Sequence, residues 1–506
     1  MATSRSRSTR FLWAAGLGWG YQLAAMITGL WLTKYLVVQL GDATMGWWTH
    51  SMVMVGYITA VDLGLSALLP REVAKQTGLA GSWMFASELP LVIGKWSKFA
   101  LLQWPIAMVI AAICVVVMAR NDESNSTAAA ILMGIALLLY PFRIGSLVIN
   151  GLQDFRYEGF AQIVSYFSGV IVTIVLCQYY QGPVAVIGGW LTQNLLAYTL
   201  VWSRLFVRYS SILPSVYQIQ NAVTPFAMLG TGVWAWLSGI GVTLTGTAEI
   251  LAIGWFTKET VLLNYSFTTR LVVIFTSIAL TLGTAILPGL TEMRSSGDTK
   301  GMERATLAYA QIVLAISGFF GCLVLTLNPA FLEWWLGGDR YMGEFITLTA
   351  ILGMNLRHFL NSVAITLFSL GLEKSLWKLT FANGIATVVL TFIFVRMGGP
   401  QLAALGPMCM MAILVPIEIA WVATKAPELS VKLLRSGLIW CVAYAAAAAV
   451  CYFVVRQFAT PRLLTLTIAG CLSSLCYAMV ILIPGLRSEA LAAVQRLPMV
   501  AKWRKG

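Results

Sequence analysis

The 506-residue chain is 59% hydrophobic and only 10% charged, with a mean hydropathy of +0.81. A soluble domain carries about 25% charged residues, so this composition excludes a soluble globular protein. The apolar runs are continuous over about 20 residues and do not alternate, which favours transmembrane helices over a β-barrel. The sequence therefore predicts an all-α polytopic membrane protein.

Fourteen apolar runs predict about 14 transmembrane helices, and an even number places both termini on one side of the membrane. The predicted spans are 11–35, 44–69, 99–118, 128–150, 160–178, 184–203, 223–250, 260–288, 305–326, 344–369, 377–396, 402–424, 437–455 and 463–485. Of the 33 Lys and Arg residues, 23 fall on the side of the termini, 7 on the opposite side and 3 within spans. Cytoplasmic loops carry the excess of Lys and Arg, so this bias predicts that both termini are cytoplasmic. It also accounts for the net charge of +13 without a nucleic acid as partner.

Several short motifs recur at nearly one offset along the chain. Residues 66–70 read SALLP, and residues 284–288 read TAILP, 218 residues later. Two further pairs recur at offsets of 220 and 217: Gly151-Leu152 with Gly371-Leu372, and Gly182-Pro183 with Gly399-Pro400. Each repeat holds six spans, so the two halves are predicted to be parallel. The predicted domains are an N-terminal six-helix lobe (1–210), a C-terminal six-helix lobe (211–430), and two extra transmembrane helices with a basic cytoplasmic tail (431–506).

The common signatures of catalytic and nucleotide-binding sites are missing from the sequence. There is no Walker A motif, no G-x-G-x-x-G opening a helix after a strand, no H-E-x-x-H and no G-x-S-x-G. All eight cysteines fall inside apolar runs without the spacing of metal ligands. We therefore predict that the protein is not an enzyme and has no catalytic residues, metal site or cofactor.

A few cationic side chains fall within the predicted spans. Arg270 lies near mid-depth of the span 260–288, Arg357 and His358 lie near the middle of 344–369, and Arg143 lies in 128–150. An arginine at the centre of the bilayer costs about 2.5–3.5 kcal/mol, so it usually faces a polar cavity or a partner. Guanidinium stays charged and matches phosphate oxygens, so the three arginines predict a cavity that binds an anionic group. Snorkelling, structural ion pairs and, for His358, a satisfied position in the core are the alternatives.

Three acids also fall within or at the ends of predicted spans: Asp62, Glu249 and Glu418. An acid in a membrane cavity can couple transport to protons or sodium, or it can neutralise an arginine. Both alternatives stay open for each of the three.

Four further segments stand out: VDLGLSALLPREVA at 61–74, GLQDF at 151–155, residues 262–271 with Tyr265 and Arg270, and LEWWLG at 332–337. These segments resemble the polysaccharide flippases of the multidrug/oligosaccharidyl-lipid/polysaccharide exporter superfamily. The resemblance covers most of the first twelve spans.

The resemblance implies two six-helix lobes around a central cavity that works by alternating access. The implied activity is a flippase that moves an undecaprenyl-diphosphate-linked oligosaccharide from the inner to the outer leaflet of the bacterial cytoplasmic membrane. The implied role is the biosynthesis of a surface polysaccharide, such as an exopolysaccharide or O-antigen. Membrane lipids and polysaccharide polymerase or assembly proteins are the implied partners, and the last two helices are expected, by analogy, to form a groove for the lipid tail.

Three other functions remain as alternatives. A cation-coupled multidrug exporter of the same fold would favour acids over arginines in its cavity. A lipid II flippase is disfavoured because related proteins carry mid-membrane arginines in their first two helices. Here the first span holds only Lys34, at its outer end, and the second holds no Lys or Arg. A membrane-embedded glycosyltransferase or polymerase would need catalytic acids and large outer loops.

Overall fold

The computed structural model describes residues 4–59, 64–80, 83–119, 126–180, 182–223, 229–295, 297–338 and 340–481. The regular elements of these segments are helices, which confirms the predicted all-α class. The helices are α1 Ser4–Thr59, α2 Leu65–Leu79, α3 Leu89–Ala119, α4 Ser126–Leu139, α5 Arg143–Gly151, α6 Phe155–Tyr179, α7 Pro183–Arg208, α8 Val216–Asn221, α9 Leu229–Phe256, α10 Glu259–Thr268, α11 Arg270–Ser295, α12 Thr299–Leu336, α13 Glu344–Ser369, α14 Glu373–Gly398, α15 Leu405–Lys425, α16 Pro427–Phe453 and α17 Leu463–Ile481.

Ten helices within the described segments are long and apolar enough to cross a membrane, or eleven if the bent pair α10–α11 is one span. The predicted count of fourteen is therefore not confirmed. Helix α13 is not among them, and it carries the polar run Asn355, Arg357, His358 and Asn361, which lowers its hydropathy. Helix α1 is broken at Gly41 (φ 77°), between the first two predicted spans, and the end of the second predicted span lies in α2.

The chain divides into two compact units. Unit 1 comprises Met1–Thr243 and Lys258–Thr260, and unit 2 comprises Leu244–Thr257 and Val261–Gly506. Lipid tails are as apolar as leucine, so helices within each unit associate through close packing and small residues rather than through escape from water. The predicted lobe boundaries stay a prediction.

The core of unit 1 is formed by buried residues of α2, α3, α5 and α7, among them Leu69, Trp96, Val148 and Leu205. Small residues let α6 and α7 approach closely. A Cβ at Gly189 would lie 1.7 Å from the Thr173 hydroxyl and 2.7 Å from the Gly169 carbonyl. Any larger side chain at Gly189 would force these helices apart.

The core of unit 2 is built from α12, α13, α15, α16 and α17, with Trp440 and Tyr477 as large buried members. An apolar cavity of about 550 Å³ lies beside α16, the first of the two extra helices, and its walls come from α12, α13, α15 and α16. Just after the C-terminal end of α16, Arg456 pairs with Glu344 at the start of α13 (Nη2 to Oε1, 2.6 Å). Tyr452, in the last turn of α16, donates a hydrogen bond to the same carboxylate.

Candidate functional site

Arg357 of α13 lies against helix α9 within unit 2. Its Nη2 atom is 3.8 Å from the position that a Cβ would occupy at Gly246. The guanidinium therefore lies beside this turn of α9, at ordinary van der Waals distance. Glu249 lies three residues further along α9, and residues at that spacing share one helix face. The charges of Glu249 and Arg357 interact electrostatically.

Tyr265 of α10 fixes the Glu249 carboxylate from the other side. Its phenol donates a hydrogen bond of 2.7 Å to Glu249 Oε2. The tyrosine is fully buried and packs in a cluster with Ala252 of α9, Ile346 of α13 and Val395 of α14. Because this apolar cluster holds the ring, the hydroxyl is positioned as a fixed donor to Glu249.

Arg270 lies at a bend of 49° between α10 and α11. The side-chain amide of Asn328, on α12, donates to the carbonyl of Thr268 at 2.9 Å and to the Thr347 hydroxyl at 3.0 Å. A side chain inserted beside the helical hydrogen-bond ladder is an established cause of a kink. Arg270 is the first residue after the bend, and its side chain is exposed.

Tyr265 also connects the bend to Glu249. Its carbonyl accepts from both the backbone N–H and the hydroxyl of Thr269, each at 3.0 Å, immediately before Arg270. We define Glu249, Tyr265, Arg270 and Arg357 as the arginine site: contacts join Glu249 to Tyr265 and to Arg357, and Arg270 follows the bend at the end of the helix that carries Tyr265. With both arginines charged and Glu249 ionised, these four residues carry a net charge of one positive unit.

His358 is buried next to Arg357, with both ring nitrogens occupied. Nδ1 lies 2.7 Å from the Ser317 hydroxyl and Nε2 lies 3.2 Å from the Thr276 carbonyl. The ring therefore joins α13 to α12 and α11, and the Ser317 hydroxyl continues to Asn355 Oδ1 at 2.5 Å. This geometry favours a position in the core over a substrate ligand.

Arg143 belongs to unit 1, at the start of α5. Its Nη2 donates to the Ser66 hydroxyl at 2.6 Å, and its guanidinium lies 5.6 Å from the centre of the Tyr140 ring. Ser66 is the first residue of the SALLP motif, so this contact joins that motif to α5. The role of Arg143 in an anion-binding cavity stays a prediction.

The remaining predicted acids differ in their surroundings. The side chain of Glu418, on α15, is only 3% exposed, and its Oε2 has no hydrogen-bond partner among the described residues. No charged side chain among the described residues interacts with Glu418. Asp62 lies outside the described residues. Sequence reasoning had not assigned roles to Tyr265, Gly246 or Asn328, although Tyr265 lies only five residues before Arg270.

Comparisons with known proteins bear on the family. Residues 96–337 match the sequence model of a family described as polysaccharide biosynthesis protein. No curated protein sequence matches the chain. The fold is similar to that of a solved structure described as the lipid II flippase MurJ in an inward closed conformation, with a TM-score of 0.62 and 11% identity over 92% of this chain and 98% of that one.

A second similar structure is described as the outward-facing conformation of a multidrug resistance MATE family transporter of the MOP superfamily. Its TM-score is 0.51, with 13% identity over 83% of this chain and 94% of that one. At these identities, the two structures show a shared fold and nothing about the substrate. The family match over residues 96–337 and the fold shared with these two structures bear out the predicted resemblance.

Proposed function

We propose that this protein is a flippase that moves an undecaprenyl-diphosphate-linked oligosaccharide from the inner to the outer leaflet of the cytoplasmic membrane by alternating access. The observation that carries the proposal is the arginine site, where two arginines and one acid of unit 2 leave a net positive charge. Guanidinium groups bind phosphate oxygens through paired, charge-assisted hydrogen bonds. The diphosphate is the part of the substrate that such a site would hold.

Other features of unit 2 support a lipid-linked substrate. The apolar cavity beside α16 has a volume of about 550 Å³, within the range of small-molecule sites, and its walls suit a hydrocarbon chain. The family match to polysaccharide biosynthesis protein supports a glycan as the group carried. We assign the protein no chemical step: it binds and moves its substrate, with surface polysaccharide polymerases or assembly proteins as its partners.

The test is to replace Arg270 and Arg357 one at a time and to measure both protein abundance and transport. Losing a charge-assisted contact costs about 1.5–3 kcal/mol, or roughly 10- to 150-fold in affinity. We expect Arg270→Ala and Arg357→Ala to reduce surface polysaccharide sharply while the protein stays inserted. Lysine should restore transport only in part, because it keeps the charge and loses the planar fork.

Arg435→Ala is the matched control, because Arg435 is exposed near the start of α16 and lies outside the arginine site. In proteoliposomes, the wild-type protein should move a polyprenyl-diphosphate-linked glycan. Normal transport per molecule in both alanine variants would contradict the proposal. Export of cationic drugs, without any effect of the arginine variants, would favour the multidrug exporter.

A further inference from the structure

The contact between Arg357 and α9 raises the question of what neutralises this arginine before a substrate arrives. We infer that Glu249 is a protonatable counter-ion that competes with the substrate diphosphate for Arg357, with Tyr265 setting the strength of the competition. This inference rests on the proposed function. It assigns the control of anion binding to Glu249.

The geometry places the Arg357 guanidinium, from α13, beside the turn of α9 that carries Glu249. The Arg357 Nη2 atom lies 3.8 Å from the position of a Cβ at Gly246, and Glu249 follows at the spacing that brings side chains to the same face. A guanidinium at this position can turn towards the Glu249 carboxylate or towards an anion that enters the site. Since one guanidinium has a fixed set of donors, the carboxylate and the diphosphate compete for them.

Tyr265 makes the ionised form of Glu249 an effective competitor. Its phenol donates a hydrogen bond of 2.7 Å to Glu249 Oε2, and such a donor stabilises a carboxylate more than a carboxylic acid. The tyrosine is fully buried, so the donor does not turn away when the substrate arrives. Among the described residues, Tyr265 and Arg357 are the titratable groups that act on Glu249.

The proton then controls the charge of the site. When Glu249 is ionised, it neutralises Arg357. When a proton from water adds to a carboxylate oxygen, Glu249 becomes neutral, and Arg357 is available to the diphosphate. When the substrate leaves, the Glu249 carboxyl group returns its proton to water, and the carboxylate pairs with Arg357 again. One proton is therefore taken up for each anion bound, so proton binding and anion binding are coupled without any chemical step.

Glu418 is a weaker candidate for this role. Its side chain is only 3% exposed, but no charged neighbour among the described residues acts on it, so its protonation has no arginine to release. The acid and the cation must lie together for a proton to change anion affinity, and Glu249 meets that condition.

The experiment measures binding of undecaprenyl diphosphate to the purified full-length protein across the pH range in which the protein stays folded. For the wild type, we expect affinity to fall as pH rises, by at least about five-fold, the lower end of typical coupling between two sites. Glu249→Gln removes the ionisable competitor. Its affinity should equal or exceed that of the wild type at low pH and should no longer fall as pH rises.

Tyr265→Phe provides a second variant with a directional result. Without the phenol, the carboxylate loses its donor, so Glu249 should keep its proton to higher pH. The midpoint of the affinity loss should therefore move to higher pH than in the wild type. Glu428→Gln is the matched control, because Glu428 is exposed and pairs only with Lys432 on the surface of α16 (Oε2 to Nζ, 3.6 Å). It should reproduce the wild-type profile.

The outcomes separate the inference from the proposed function. If the wild type binds undecaprenyl diphosphate but its pH profile is the same as that of Glu249→Gln, the counter-ion inference is wrong and the proposed function stands. An unchanged midpoint in Tyr265→Phe would also overturn the inference. If the wild type fails to bind the diphosphate at any pH, the proposed function fails as well.

Discussion

Gln153 and Gly371 occupy the same position in two copies of one helix-ending turn, 218 residues apart in the chain. After α5, the N–H groups of residues 152, 153 and 154 donate to the carbonyls of residues 148, 150 and 149. After α13, residues 370, 371 and 372 donate to 366, 368 and 367 in the same pattern. Both central residues have positive φ, 60° at Gln153 and 84° at Gly371.

This turn adjusts the internal repeat that the sequence predicts. The sequence pairs Gly151 with Gly371 at an offset of 220, whereas the hydrogen bonds pair Gln153 with Gly371 at 218. That offset equals the one between SALLP and TAILP. The pairing of Gly151 with Gly371 stays a prediction; in the turn after α5, a glutamine holds the left-handed position.

The first prediction concerns the stability of these two turns. Gly371→Ala places a Cβ at a left-handed residue and 2.3 Å from the Arg294 guanidinium, so it should lower the unfolding free energy by about 1–2 kcal/mol. Gln153→Gly removes that backbone strain and should cost less than about 1 kcal/mol. Thermal unfolding of the purified variants measures both. Gly353→Ala is the control, since Gly353 is helical with ordinary space around it, and a loss there equal to that of Gly371→Ala would contradict the argument.

The second prediction concerns the bend before Arg270. Asn328→Leu removes the amide that donates to the Thr268 carbonyl and should destabilise the protein by about 1–3 kcal/mol, the cost of an unsatisfied buried acceptor. Transport per molecule should also fall, because Arg270 follows the bend directly. Asn194→Leu is the matched control, since its amide bonds only to the Trp190 carbonyl of its own helix. Equal effects of the two substitutions on stability and transport would show that the bend does not depend on Asn328.

The third prediction concerns a cluster of unit 1 at the turn between α5 and α6. Asp154 Oδ2 accepts from Nε and Nη2 of Arg204 and from the Tyr209 hydroxyl, all at 3.0 Å. Burial and the neighbouring Asp154 raise the pKa of Tyr209 to about 12, so the phenol stays protonated and keeps donating. Asp154→Asn should therefore lower the unfolding free energy by about 1.5–3 kcal/mol.

Two comparisons test the cause of that loss. Tyr209→Phe removes one donor and leaves the ion pair, so its cost should be smaller than that of Asp154→Asn. Glu428→Gln removes an exposed pair with Lys432 and should cost less than about 1 kcal/mol. Chemical denaturation of the three variants ranks them, and a loss for Glu428→Gln as large as that for Asp154→Asn would argue against the partly buried ion pair as the cause.

The fourth prediction concerns topology. In a background without native cysteines, Asp122→Cys and Asp339→Cys should react with an impermeant thiol reagent added outside the cell. Gly297→Cys should react only after the membrane is opened, because the distribution of Lys and Arg predicts that its loop is cytoplasmic. Labelling of residue 297 from outside would reverse the predicted orientation.

The sequence predicts those parts of the structure that depend on local pattern. Continuous apolar runs identify most helices, and the intramembrane charges identify Arg270, Arg357 and Glu249 as unusual. The arrangement of these residues depends on partners that are distant in sequence. Three helices, α10, α11 and α12, lie between Glu249 and Arg357 in the chain. The bend before Arg270 depends on Asn328, 60 residues after Thr268.

His358 shows the same limit. Its ring contacts Ser317 and Thr276, which are 41 and 82 residues away, and neither hydroxyl nor carbonyl stands out in the sequence. The number of spans was also hard to predict, because the polar residues of α13 lower its hydropathy.

The amide of Asn328 has a consequence for how the protein is made. The ribosome completes α10 and α11 before it reaches α12, so the Thr268 carbonyl enters the membrane before its partner amide exists. An unsatisfied backbone group costs several kcal/mol in hydrocarbon, and Arg270 adds about 2.5–3.5 kcal/mol. We therefore expect stable insertion of α10 and α11 to depend on α12, which is translated after them.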